Sequence, residues 1–295
     1  MTLANKYRPT EFSQVTDQEV CTTVLDKQIK NNTYSHAVLF AGNAGCGKTT
    51  CARIFANKID GEIIELDCAS HNGVAEIKDI VEKARTKPLL HEYKVVILDE
   101  CHTLTSQAWS SLLITLEENL PNTIFIFCTT DTQKIPNTIM SRVQRFNFLP
   151  ITDTGMINRL NEICYKEKLD ISIEAITYIA KSAKGNLRQA LTNLDKCILY
   201  GNLTVENICK VLNIVSNTLM DDLYNAFENK NTKEIINLIE SVYNNGYELH
   251  QFTRQFLDYS VTKTNMNLVE RLLTILQDIR YDDSPKNIII ARLII

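Results

Sequence analysis

At 295 residues the chain is long for one domain and comfortable for two or three. Its 44% hydrophobic and 22% charged residues are those of an ordinary globular protein, and no apolar run approaches the roughly 18 residues of a membrane span. The net charge of −4 excludes a surface that is basic all over, so any nucleic acid would have to meet a local patch.

The N-terminus, Met1 to Lys6, lacks the apolar core of a secretory signal, and a cytoplasmic protein is expected. The nine cysteines are scattered from Cys21 to Cys209 with no Cys-x-x-Cys pair, which favours reduced, buried thiols over a zinc module or a disulfide scaffold. Residues 1–36 are polar, with one tight landmark at Lys6-Tyr7-Arg8-Pro9.

The first apolar run, Ala37-Val38-Leu39-Phe40, reads as a buried strand and ends at Gly42. There follows Gly42-Asn43-Ala44-Gly45-Cys46-Gly47-Lys48-Thr49, a match to G-x-x-x-x-G-K-[ST]. Each position has a chemical reason. The glycines let backbone N–H groups turn inward around phosphates. Lys48 reaches the β- and γ-phosphates as a point charge, and the Thr49 hydroxyl ligates Mg²⁺. A helix from Thr49 to Lys58 adds its positive dipole end, and Thr50 in its first turn is grouped with the loop. Average residue usage produces such a pattern by accident in roughly one chain in a hundred of this length, and the flanking strand and helix lower that further.

A second strand is expected at Ile63-Ile64-Glu65-Leu66, and a helix from Val74 to Arg85 with Ile77, Ile80, Val81 and Ala84 on one face. The third strand, Val95-Val96-Ile97-Leu98, runs into Asp99-Glu100-Cys101-His102. Asp99 is placed to hold Mg²⁺ and Glu100 to polarise the attacking water, and strand alternation would point the two carboxylates different ways. His102 either orients a carboxylate or merely sits in a loop. A helix from Ser106 to Glu118, capped by Thr105, precedes a fourth strand at Ile124-Phe125-Ile126-Phe127-Cys128. Thr129-Thr130-Asp131 at its end could set a hydroxyl beside a γ-phosphate. Ser141-Arg142 and Gly185-Asn186-Leu187-Arg188 supply arginines of the kind phosphoryl transfer uses in cis or in trans.

Strands alternating with helices predict a parallel sheet covered on both faces, with ligands at the strands' carboxyl ends. Past Pro150 the apolar spacing turns helical, as in Ile235, Leu238, Ile239 and Val242, and in Leu268, Leu272 and Leu276. The expected division is 1–150 for a nucleotide-binding domain, 151–213 for a small helical lid and 214–295 for a second helical domain.

Taken in order, Lys6-Tyr7-Arg8-Pro9, the phosphate loop, Asp99-Glu100-Cys101-His102, Thr129-Thr130-Asp131-Thr132-Gln133-Lys134, Ser141-Arg142-Val143 and Gly185-Asn186-Leu187-Arg188 resemble the AAA+ clamp-loader ATPases, and among them the bacterial DNA polymerase III gamma/tau subunit. The resemblance covers roughly residues 1–215, and the last eighty only by helical character. It implies an α/β AAA+ domain with a five-stranded parallel sheet, a helical lid, and an all-helical collar that builds a pentamer. It implies that Lys48 and Thr49 bind ATP–Mg²⁺, that Asp99 and Glu100 are the Walker B pair, and that Thr130 is sensor 1. Arg142 would be the finger reaching a neighbour's site, Arg188 would be sensor 2, and Tyr7, Arg8 and Pro9 would lie near the adenine. The implied partners are other clamp-loader subunits, a sliding clamp and primer–template DNA, the last near Lys78, Lys83, Arg85, Lys87 and the helix start at Thr105-Ser106; no membrane is implied.

The chain departs from that family in three ways. Only Asn57 to Gly61 fill the gap where bacterial members carry a four-cysteine module, so no zinc is expected. The Ser-Arg-Cys motif reads Ser141-Arg142-Val143 and keeps its arginine. Nothing past Ile295 carries an expectation of tau-like binding to helicase or polymerase, and the compact form would suit a phage or another small replicon. The expected function is ATP-dependent loading of a sliding clamp. The alternative is another AAA+ DNA-processing ATPase, such as a Holliday-junction motor or helicase loader. A non-catalytic scaffold subunit ranks lower, because Lys48 and Glu100 are both present.

Overall fold

A computed structural model describes residues 1–88, 90–118, 120–282 and 285–294. They form two compact units, one of residues 1–169 and 183–192, the other of 170–182 and 193–295.

The first unit runs α1 (Leu3–Lys6), α2 (Glu19–Lys30), β1 (Ala37–Ala41), α3 (Lys48–Lys58), β2 (Gly61–Asp67), α4 (Val74–Arg85), β3 (Tyr93–Asp99), α5 (Ser106–Glu118), β4 (Thr123–Thr129), α6 (Asn137–Met140), β5 (Gln144–Asn147) and α7 (Asp153–Lys166). The strands make one parallel sheet in the order β2-β3-β4-β1-β5. Alternate residues feed opposite faces. Val38, Phe40, Val95, Ile97, Ile124 and Ile126 pack with Leu25 of α2 and with Ile54 and Phe55 of α3. Leu39, Val96, Leu98, Phe125 and Phe127 pack with Ile77 and Ile80 of α4 and with Trp109, Leu112 and Leu116 of α5. Fully burying such a side chain stabilises by about 1.5–3 kcal/mol, so this two-sided core holds the sheet rigid beneath the site.

The sequence reading missed the short helices α1 and α6, and two elements of more weight. Helix α2 buries Cys21, Thr22 and Leu25 but leaves Val20 exposed, so its apolar stripe is too thin to stand out. Strand β5 is an edge strand of four residues with Phe146 as its one buried side chain; it completes the expected five.

The strand ends line up. Ala41 of β1 is level with Thr129 of β4 and with Asn147 of β5, while Leu98 of β3 is level with Phe127. The phosphate loop, the Asp99 carboxylate and the Thr129-Thr130 hydroxyls therefore leave the sheet along one edge, where parallel sheets bind ligands.

In the second unit every regular element among the described residues is helical: α8 (Ile173–Ser182), the continuation of α9 (Leu187–Tyr200), α10 (Val205–Leu212), α11 (Asn217–Glu228), α12 (Thr232–Asn244), α13 (Leu249–Thr262), α14 (Met266–Asp278) and α15 (Pro285–Ile294). Its core gathers Leu223, Ile239, Phe252, Phe256, Leu268 and Leu272. Side chains at their starts accept the loose N–H groups of several helices, as Ser216 does for Leu219 N and Glu248 for His250 N and Gln251 N. No helix of the described residues is long and apolar enough to cross a membrane.

Candidate nucleotide site

The residues from Gly42 to Thr49 wrap the start of α3. Gly45 and Gly47 take left-handed backbone angles of φ +71° and +105°. A Cβ on Gly45 would also stand 1.8 Å from Asn186 Oδ1, so a side chain there would be strained and would displace the Asn186 amide. Lys48 is 5% exposed, and its ammonium donates to the Gly42 and Asn43 carbonyl oxygens at 2.9 Å each. Its charge is thus already desolvated and fixed at the mouth of the loop. Cys46 is buried, hydrogen-bonded to Asn43 O at 2.9 Å, and burial pushes its thiol up; it packs the loop. All nine cysteines are free and buried.

The Thr49 hydroxyl donates to Asp99 Oδ2 at 2.7 Å. Asp99 Oδ1 accepts the Glu100 N–H at 3.0 Å. Glu100 lies one residue past the strand in a left-handed conformation, φ +48°. The carboxylates of Asp99 and Glu100 do diverge, but this turn parts them rather than the strand pleat. Asp99 faces the loop, while Glu100 Oε2 accepts from Thr130 Oγ1 at 3.0 Å and lies 3.3 Å from His102 Nδ1. Thr129, fully buried, turns instead to the backbone of Asp131. Of the two threonines, Thr130 is the one joined to the acidic pair.

These groups border a cleft of about 380 Å³ lined by residues of the first unit. Its lining mixes polar groups, Lys48, Thr49, Thr50, Asp99, Glu100 and the guanidinium-bearing Arg8 and Arg188, with the less polar Tyr7, Pro9, Val15, Ile151, Leu187 and Leu191. Arg8 Nε donates to Thr50 Oγ1 at 3.2 Å. Burial, and next the charge of Arg53, lower the Arg8 pKa, with Arg188 acting in the same sense; Glu65 and Asp99 oppose them. A polyanion in the cleft would relieve that strain. The Tyr7 segment is anchored by its hydroxyl on Glu167 and by Arg159 on its carbonyl at 3.1 Å. Arg188 stands in the first turn of α9, which Asn186 Oδ1 caps through Gln189 N at 3.0 Å.

The sequence-predicted residues Tyr7, Arg8, Pro9, Lys48, Thr49, Thr50, Asp99, Glu100 and Arg188 therefore meet at one cleft. Gly42 and Asn43 join it through Lys48, and Thr130 through Glu100. Arg142 does not: it is tied to Glu117 at 2.8 Å and to the Thr138 carbonyl at 2.7 Å, away from the cleft lining. Of the basic candidates, Lys83 pairs with Asp79 and Arg85 with Glu118, while Lys78 and Lys87 are exposed. Val15, Ile151, Asn186, Leu187 and Leu191 went unnoticed as lining residues. Single apolar residues in polar stretches carry no periodic signal, and only the pocket joins them.

Two hard oxygen donors, Thr49 Oγ1 and Asp99 Oδ2, converge beside a fixed ammonium and a glycine loop. Few protein oxygens near phosphate donors suit Mg²⁺, which keeps most of its waters. The donor set fits a Mg²⁺–nucleotide.

The chain is similar to several known proteins. Residues 60–152 match the family model described as DNA polymerase III, delta subunit, and residues 158–198 that of the RCF1/5-like AAA+ ATPase lid domain. The DNA polymerase III subunit gamma/tau of Mycoplasma genitalium is 35% identical over 87% of this chain and 47% of its own length. The subunit tau of Bacillus subtilis is 32% identical over 94% of this chain and 54% of its own. The chain thus spans about half the length of these relatives. Among solved structures, the Thermotoga maritima RuvB Holliday junction branch migration motor superposes with a TM-score of 0.61 at 18% identity, over 75% of this chain and 80% of that one, a likeness of fold. The chain has the AAA+ ATPase fold and is a homologue of the DNA polymerase III gamma/tau subunits.

Proposed function

We propose that this chain binds and hydrolyses ATP as a subunit of a clamp loader, opening a sliding clamp and loading it onto primer–template DNA in the cytoplasm. The observation that carries the ATPase reading is the convergence of Lys48, Thr49, Asp99, Glu100 and Arg188 on one cleft. The clamp-loader reading is supported by the gamma/tau relatives.

In this reading Lys48 leaves the Gly42 and Asn43 carbonyls for the β- and γ-phosphate oxygens. The loop N–H groups and the start of α3 surround the phosphates. Thr49 and Asp99 would hold Mg²⁺, which when bound neutralises charge on the β- and γ-phosphates. Glu100 orients and polarises the attacking water. Thr130 turns its hydroxyl to the γ-phosphate, and Arg188 covers it from the same chain. Tyr7, Arg8 and Pro9 border the nucleoside end. Arg142, outside the cleft of its own chain, serves a neighbouring subunit. Residues 1–150 would act as the motor, 151–213 as its lid and 214–295 as the collar of a pentamer.

The likeness to the RuvB motor is one of fold, and it lends the alternative of a Holliday-junction motor no more than that. The experiment that separates the two measures ATP turnover with and without a sliding clamp and primed DNA. Stimulation needing both supports the clamp loader. Turnover indifferent to clamp and primer overturns it.

A further inference from the structure

A side chain next to Glu100 has no part in that scheme. His102 is largely buried, with 15% of its side chain exposed, and its Nδ1 lies 3.3 Å from two oxygens, Thr129 Oγ1 and Glu100 Oε2. Thr129 Oγ1 accepts the Asp131 N–H at 3.0 Å, and when its one proton goes to the Asp131 carbonyl, also at 3.0 Å, it offers the ring a lone pair. In the matching tautomer Nδ1 carries the hydrogen, and that edge of the ring also faces Glu100 Oε2.

Glu100 needs such a partner. Its backbone has left the strand for a left-handed conformation that costs about 1–2 kcal/mol in a non-glycine residue and persists only where neighbours hold it. The main chain is pinned, with its N–H on Asp99 and its carbonyl accepting the Thr103 N–H at 3.0 Å. The carboxylate is held at Oε2 by Thr130. Thr130, however, also has one proton. A γ-phosphate in the cleft competes for it, and when it turns, the His102 ring is the polar group that stays beside Oε2.

We infer that His102 is a positioning residue for Glu100: anchored by Thr129, its Nδ1 edge stands against Oε2 at 3.3 Å, confines the carboxylate there and leaves Oε1 for the attacking water when Thr130 is engaged by nucleotide. The inference rests on Glu100 acting on water as set out above.

The test compares His102→Ala, His102→Asn and His102→Gln with the unaltered chain and Glu100→Gln, reading ATP affinity and turnover separately. The Asn amide nitrogen falls near the place of Nδ1, whereas that of Gln falls near Nε2. The expected result is ATP affinity within roughly twofold throughout and a kcat roughly 10- to 100-fold lower in His102→Ala, as for a slightly misplaced catalytic group. His102→Asn recovers most of that loss and His102→Gln less. If His102→Ala does not fold, the contrast between Asn and Gln carries the result. Turnover by the unaltered chain, abolished in Glu100→Gln but intact in His102→Ala, overturns the role of His102 alone. So does Asn as impaired as Gln. Absence of turnover in the unaltered chain with clamp and primed DNA present overturns the ATPase reading and this inference with it.

Discussion

Replacing Lys48 by alanine removes the charge on which nucleotide binding rests, and the structure bounds the effect. In the free chain the ammonium is 5% exposed and makes two hydrogen bonds, each 2.9 Å, to the Gly42 and Asn43 carbonyls. It therefore meets a phosphate without first losing a hydration shell. Two charge-assisted bonds to β- and γ-phosphate oxygens are worth about 1.5–3 kcal/mol each, or about 3–6 kcal/mol together. Their loss weakens ATP binding on the order of 10²- to 10⁴-fold. Water can reach the two carbonyls at the mouth of the cleft, so the fold should survive. Isothermal titration with Mg·ATP measures the affinity, and circular dichroism on the same samples checks the fold. A folded Lys48→Ala chain whose Kd stays within roughly threefold of the original would refute the assignment of the loop.

Arg142→Ala should leave ATP binding by one chain intact while removing turnover that depends on assembly; a rate unchanged in the oligomer rules out the role in trans, and the ion pair with Glu117 would be all that is lost. Lys94→Met addresses stability alone. Lys94 is 3% exposed and donates to the Lys83 carbonyl, the Thr86 carbonyl and the Thr86 hydroxyl, closing the end of α4. Removing that charged donor should lower unfolding stability by about 1.5–3 kcal/mol in urea denaturation with ATP affinity unchanged; an unaltered denaturation midpoint contradicts it.

The parts of the site legible in the sequence are those whose chemistry fixes residue type and spacing together. Gly42 to Thr49 must be contiguous to bend a backbone around phosphates, and Asp99 must end a buried strand, so both announce themselves. Helices α4 and α5 were legible because one face of each packs on the sheet and so repeats at helical spacing. Strand β5 was not, since an edge strand with one buried phenylalanine carries no apolar run. The divergence of Asp99 and Glu100 was expected, but its cause was not legible, since it is a left-handed turn that no side chain signals. Of the lining outside the motifs, little was legible. Val15, Ile151 and Leu191 reach the cleft from distant parts of the first unit, and their meeting is a property of the fold. The Thr130–Glu100 hydrogen bond likewise joins two strand ends that the sequence keeps thirty residues apart.

The central claim is that Glu100 turns bound ATP into hydrolysed ATP. Single-turnover hydrolysis of Mg·ATP by the assembled chain and by its Glu100→Gln variant, alongside the affinity of each for ATP, tests it most directly. The account predicts near-equal affinities and a hydrolysis rate lower in the variant by roughly 10²- to 10⁴-fold. A Glu100→Gln chain that binds ATP and hydrolyses it at the original rate would contradict it.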